Sequence, residues 1–129
     1  MRNLLKSAVI AATLSFVALP VCAQPVGGSG WIVNATATHA IATATRAAKT
    51  GYQQILGHVD ASCSTTPASP VLLQVKDGTT VIFQAYVSTT KDFDFEYGAA
   101  GTAGNAMSAV LADCGSGVVG SVNLHGLTR

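Results

Sequence analysis

From Val71 to Tyr97 the chain spells out three β-strands in succession. Val71-Leu72-Leu73-Gln74-Val75-Lys76 is followed by the turn pair Asp77-Gly78 and then by Thr79 to Val87, so two largely apolar runs flank a two-residue turn. Asp-Gly in that setting is a strong hairpin signal, because a type I′ turn needs positive φ at both central residues. Lys91 to Tyr97 then alternates with period 2. That alternation sets Asp92, Asp94 and Glu96 on one face and Phe93, Phe95 and Tyr97 on the other, the core side. Strands of this kind must find sheet partners, so the chain is of the β class.

Residues 1–23 read as a secretory signal peptide. Arg2 and Lys6 give a basic start, Ser7 to Leu19 a short apolar stretch, Pro20 a break, and Val21-Cys22-Ala23 a small-residue cleavage site. The apolar stretch is shorter than the ~20 residues of a membrane span, so no membrane association is expected after cleavage. A lipoprotein with Cys22 as the lipidated residue is the competing reading. Val21 argues against it, since such sites carry Gly, Ala or Ser before the cysteine. Removing Arg2 and Lys6 from seven basic residues leaves five against six acidic ones, a net charge of −1. That balance argues against a nucleic-acid partner, whose binding rests on clustered Lys and Arg. Only 10% of the residues are charged, which suits sheets, subunit contacts or an extracellular setting.

With Cys22 removed, Cys63 and Cys114 remain, and an even count in an exported chain reads as one disulfide. Two unpaired buried thiols are the alternative. Residues 24–30, Gln-Pro-Val-Gly-Gly-Ser-Gly, form a flexible lead-in, and residues 31–129 form a single domain. Trp31 to Thr45 reads as one long strand, or an interrupted one, with Trp31, Val33, Ala35 and Ala37 on one face; its interleaved threonines oppose a helix. Tyr52 to Ser62 reads as a second strand, with Gly57 as a bulge or a point of close backbone approach. Cys63 to Pro70 is a loop by composition, as is Gly98 to Gly104. Asn105 to Ala112 and Val118 to Leu127 supply the last strands. Seven to eight strands at turn spacings near ten residues, with no convincing helix, predict an antiparallel β-sandwich of jelly-roll type.

Three segments of the C-terminal half carry a resemblance: Leu73 to Phe83, Gly101 to Ala109, and Gly117 to Gly126. In content and order they resemble small uncharacterised β-sandwich proteins of tailed phages and prophages, over about Arg46 to Thr128. The resemblance implies a structural or decoration-type subunit, oligomeric, with no catalytic residues to carry over. The export signal and expected disulfide set this chain apart and favour a secreted or periplasmic relative.

Candidate chemistry is sparse. Side chains at i and i+2 of a strand share a face, so Asp92, Asp94 and Glu96 are candidate cation ligands; the plainer reading is the solvated face of a half-buried strand. His39, His58 and His125 lie on three different predicted strands, and His58 shares a face with Asp60, a spacing that suits a metal ligand pair or a base with its orienting acid. No HExxH, HxH or Cys/His cluster accompanies them, so they read as surface or hydrogen-bonded histidines and no metal or cofactor is expected. Gly115-Ser116-Gly117 lacks the context of a nucleophile elbow, and Gly98 to Gly104 lacks that of a phosphate loop. Asn34-Ala35-Thr36 is a glycosylation sequon, relevant only in a host that glycosylates. Trp31, Tyr52, Tyr86 and Tyr97 would form a sugar-stacking platform if exposed together, although alternating aromatics are more often core. The expectation is therefore a non-enzymatic structural subunit that assembles with itself. The alternative is a module that binds a glycan or protein at a cell surface.

Overall fold

The structure is a computed structural model and describes residues 28–129. The expected signal peptide and most of the lead-in lie outside those residues. Eight strands and no helix are present among the described residues: β1 (Ser29–Thr38), β2 (Ala42–Arg46), β3 (Gln54–Cys63), β4 (Val71–Asp77), β5 (Thr80–Val87), β6 (Thr90–Ala100), β7 (Met107–Leu111) and β8 (Val119–Thr128). They form two antiparallel four-stranded sheets, a first sheet in the order β1-β8-β3-β6 and a second in the order β2-β7-β4-β5. Each β-ladder of the set β4–β5, β3–β6, β2–β7 and β1–β8 joins an earlier strand to a later one around the central hairpin. A long hairpin wound up in this way is a jelly roll, as expected from the strand spacing.

The core lies between the sheets. Leu56, Val59 and Ala61 of β3 and Val122 and Leu124 of β8 face Leu73 and Val75 of β4 and Met107, Ala109 and Leu111 of β7. All ten side chains are fully removed from solvent. Burying one such Leu or Val contributes about 1.5–3 kcal/mol, so the alternation of these strands is what drives the sheets together.

The stretch from Trp31 to Thr45, expected as one long or interrupted strand, is interrupted and forms two. His39 takes a left-handed backbone (φ 50°), and the chain turns there from the first sheet into the second. The buried set changes phase across the turn, from Trp31, Val33, Ala35 and Ala37 to Ala42 and Ala44. Tyr52 to Ser62 becomes β3, and its ladders shift register between Leu56 and His58, so Gly57 marks the expected bulge. On β6, Phe93 and Phe95 turn to the core side and pack edge-on against Phe83. Tyr97 does not. It is 93% exposed, because Phe95 to Gly98 bulge away from β3 opposite Gly57, with Gly98 at φ 74°. Beyond the bulge the strand resumes, so part of the expected Gly98–Gly104 loop is strand.

The hairpin forms where the sequence places it, with a different turn. Asp77 pairs with Thr80, which makes Gly78-Thr79 the central pair and leaves positive φ at Gly78 alone (φ 59°). That is the pattern of a II′ turn, which needs Gly only at its first central position. Asp77 is instead a buried anchor: its carboxylate accepts the Thr102 amide at 2.8 Å, while the Gly78 amide donates to the Ala106 carbonyl. Burial works to raise the Asp77 pKa, but hydrogen bonds from the Thr102 side chain and amide and from Asn105 outweigh it and hold the group below its ordinary value. A carboxyl depressed in the folded state stabilises above its unfolded pKa, about 3.9, and that contribution is lost as pH falls through the folded value. Thermal melts should therefore show Asp77→Asn less stable than the parent at pH 7, with the gap narrowing below about pH 4. A gap independent of pH would mean that the carboxylate charge is irrelevant.

Cys63, closing β3 of the first sheet, is bonded to Cys114 in the connection after β7 of the second, with Cα atoms 5.8 Å apart. The expected disulfide thus ties the two sheets together.

Candidate functional site

The polar chemistry of the chain gathers on the outer face of the first sheet. β-pairing sets residues of like parity side by side, so the register of β8, β3 and β6 dictates who meets whom. His58 on β3 lies opposite His125 on β8 and Asp94 on β6; Asp60 lies opposite Asn123 and Asp92. Four of the six carboxylates of the sequence, Asp60, Asp92, Asp94 and Glu96, belong to β3 and β6. The face is therefore acidic around two imidazoles.

Asp94 Oδ1 stands 2.7 Å from His58 Nδ1. A carboxylate only accepts, so Nδ1 is the donor, and in the neutral ring the lone pair then sits on Nε2. His58 Nε2 faces Asp60 Oδ2 at 3.6 Å, and His125 Nε2 faces the same oxygen at 3.9 Å. The other Asp60 oxygen accepts from Asn123 Nδ2 at 2.6 Å, which holds the carboxylate in place. The rings themselves meet edge to face with centroids 5.3 Å apart. His58 and Asp60 keep about a quarter of their side-chain surface exposed, while Asp94 is almost wholly in solvent.

A hollow of about 300 Å³ lies beside this cluster, lined by Ile55, Gly57, Tyr97, Leu127 and Arg129 among others. Leu127 is two residues beyond His125 on β8 and Gly57 adjoins His58 in sequence, so the hollow is the next feature along the β3–β8 ladder, lined by none of the cluster's own side chains. The β6 bulge builds its wall.

The stripe expected from sequence divides. Asp92, Asp94 and Glu96 are all exposed, as the wet face of a strand should be. Asp94 engages His58, Asp92 lies opposite Asp60, and Glu96 lines the hollow. His39 stands apart in the β1–β2 corner, 3.1 Å from Asp113. The aromatics do not share a platform. Trp31 is buried, Tyr86 lies on β5 of the second sheet, Tyr97 lies on the β6 bulge of the first, and Tyr52 precedes β3 with the Lys49 ammonium over its ring. All three tyrosines are exposed, against the expectation that the aromatics are core. Sequence reasoning paired His58 with Asp60 but missed His125 and Asn123. The period-2 parity of each strand was available; the β3–β8 pairing that joins them was not.

No protein-family model and no curated protein matches the chain.

Proposed function

We propose that the protein is an exported, non-enzymatic structural subunit that assembles with copies of itself by strand pairing along β5. One observation carries this reading. β5 is an edge strand of eight residues without a charge, and it exposes Val81, Ile82 and Tyr86. An open, apolar, uncharged edge is a template for another strand, and proteins that stay monomeric protect such edges with charges, prolines or short strands. The neighbouring edge is protected. β6 carries Asp92, Asp94 and Glu96, and two-fold pairing of β6 with itself about its central Phe95 would set Asp94 against Glu96 on both sides. β1 is likewise an uncharged edge, but Ile32 is its one large exposed apolar side chain.

The buried disulfide supports an oxidising compartment, secreted or periplasmic. The jelly roll is an architecture of capsid and lectin domains and by itself names no activity; a subunit of the phage-like kind that the C-terminal half resembles fits both the fold and the open edge. Analytical ultracentrifugation of the untagged domain is the test. The parent should sediment as a dimer or larger species, and Ile82→Lys with Tyr86→Lys should convert it to monomer while Ile32→Lys leaves assembly intact. A parent that stays strictly monomeric up to its solubility limit would overturn the proposal.

A further inference from the structure

We infer that His58, Asp60 and His125 form a binding site for a borderline divalent transition-metal ion, such as Zn²⁺, on the outer face of the first sheet, with Asp94 as the positioning residue for His58. The inference is independent of self-assembly, since the β5 edge belongs to the other sheet.

The geometry is that of three ligands on an antiparallel ladder: two from alternate positions of one strand, His58 and Asp60, and one from the paired position of the next, His125. Alternate and paired positions are the neighbours a sheet presents on one face, and they bring donor atoms toward a common point above it. The donors are two imidazole nitrogens and a carboxylate oxygen, a set suited to Zn²⁺, Cu²⁺ or Ni²⁺ rather than to Ca²⁺ or Mg²⁺, which prefer oxygen alone. Three protein ligands leave a fourth position open to water or an exogenous ligand. Here the three side chains are partly exposed, so that position faces solvent.

Two features point to a cation. The Asp94–His58 hydrogen bond is the carboxylate–histidine arrangement that fixes the tautomer of a metal-binding imidazole, directing Nε2 toward the ion. In the neutral ring that tautomer leaves the His58 Nε2 lone pair facing Asp60 Oδ2 at 3.6 Å. Two acceptors so placed repel unless a metal ion, or a second proton on the ring, lies between them.

As the side chains stand, no three His, Cys, Asp or Glu groups among the described residues already close on a single ion. Two of the three donor separations lie near those required. Tetrahedral bonds of about 2.0–2.1 Å place donors roughly 3.3–3.4 Å apart, against 3.6 and 3.9 Å for the two nitrogens and Asp60 Oδ2. The longer gap involves His125, whose side chain is 42% exposed and has no hydrogen bond to a described residue to hold it, whereas His58 and Asp60 are held by Asp94 and Asn123.

The test is Co²⁺ titration of the untagged, disulfide-intact protein, followed by its visible absorption and by displacement with Zn²⁺. One ion per chain should bind. His58→Ala and His125→Ala should each weaken binding at least tenfold, Asp94→Asn should weaken it about 10- to 100-fold with the stoichiometry unchanged, and His39→Ala should have no effect. In the unmodified protein, Zn²⁺ should shift the ring resonances of His58 and His125 in NMR spectra and leave those of His39 in place, a readout that needs no variant to fold. Absence of a cobalt spectrum, binding that survives both histidine substitutions, or zinc shifts at His39 alone would each overturn the inference.

Discussion

Replacing both bridge cysteines, Cys63→Ala with Cys114→Ala, should lower the stability of the domain by about 4 kcal/mol, the chain-entropy value for a loop of this length. The two residues are 51 apart in sequence, so the bridge removes a large closure entropy from the unfolded chain. For a domain of roughly 100 residues the loss corresponds to a fall in melting temperature of about 15–30 °C. It is also a large fraction of the 5–15 kcal/mol that holds such domains together. The position of the bridge argues for the upper part of that range. Cys63 ends β3 in the middle of the first sheet, and Cys114 leads from β7 toward β8, so the bond spans the sandwich where the chain crosses between sheets. Both sulfurs are buried, and the Cys114 Sγ lies against Gly120 of β8, where a Cβ would come within 3.2 Å. Differential scanning calorimetry of the double variant against the oxidised parent decides the matter. A fall of under 5 °C would mean that sheet packing alone holds the layers.

Where β-strands begin and end was legible because period-2 alternation is a local signal. β4 to β6 contain enough contrast between Leu, Val or Phe and Asp, Glu, Gln or Lys to show both the strands and their buried faces. β1 and β2 do not. Ala and Thr differ little in their demand for burial, so the phase change between Ala37 and Ala42 leaves no mark in the sequence, and a left-handed His39 is not something composition announces. The Asp-Gly pair located the hairpin but not its turn, because Asp77 is drawn out of the turn by the amide of Thr102, a partner supplied by a distant loop. Tyr97 failed for a related reason: the bulge that expels it depends on how β6 meets Gly57.

The candidate site was legible by halves. Two residues apart on one strand, His58 and Asp60 could be placed on a common face from spacing alone. Asp94 was visible as an outward carboxylate, though not as the partner of an imidazole. His125 comes from the last strand, and its approach to His58 is a property of the jelly-roll winding, which inserts β8 between β1 and β3. Each strand's parity says which way a side chain points. Only the pairing of strands says what it points beside.

The same β3–β8 seam contains the substitution expected to do most damage. Gly126 pairs with Trp31 on one side and Leu56 on the other. A Cβ built there would overlap both the Ile55 carbonyl oxygen and the Trp31 indole ring. Neither can retreat cheaply: Ile55 is laddered to Leu127 and Ala100, and Trp31 is 7% exposed, with its ring lying over the glycine as part of the core. Aromatic side chains commonly cover a cross-strand glycine in this way, which makes the absent side chain part of the packing. Gly126→Ala should therefore cost about 3 kcal/mol, the upper end for overpacking, and Gly126→Val should not yield a folded domain. Gly57→Ala is the control on the same ladder. Its Cβ would meet only the His125 carbonyl oxygen at 3.7 Å, an ordinary contact, so its melting temperature should stay within a few degrees of the parent. A double-mutant cycle with Trp31→Ala separates the two overlaps, since neighbouring sites are non-additive when they share a contact. If the indole is the principal obstruction, Gly126→Ala should lose most of its cost in the Trp31→Ala background; an unchanged cost would assign the strain to the Ile55 carbonyl and hence to the spacing of β3 and β8 themselves.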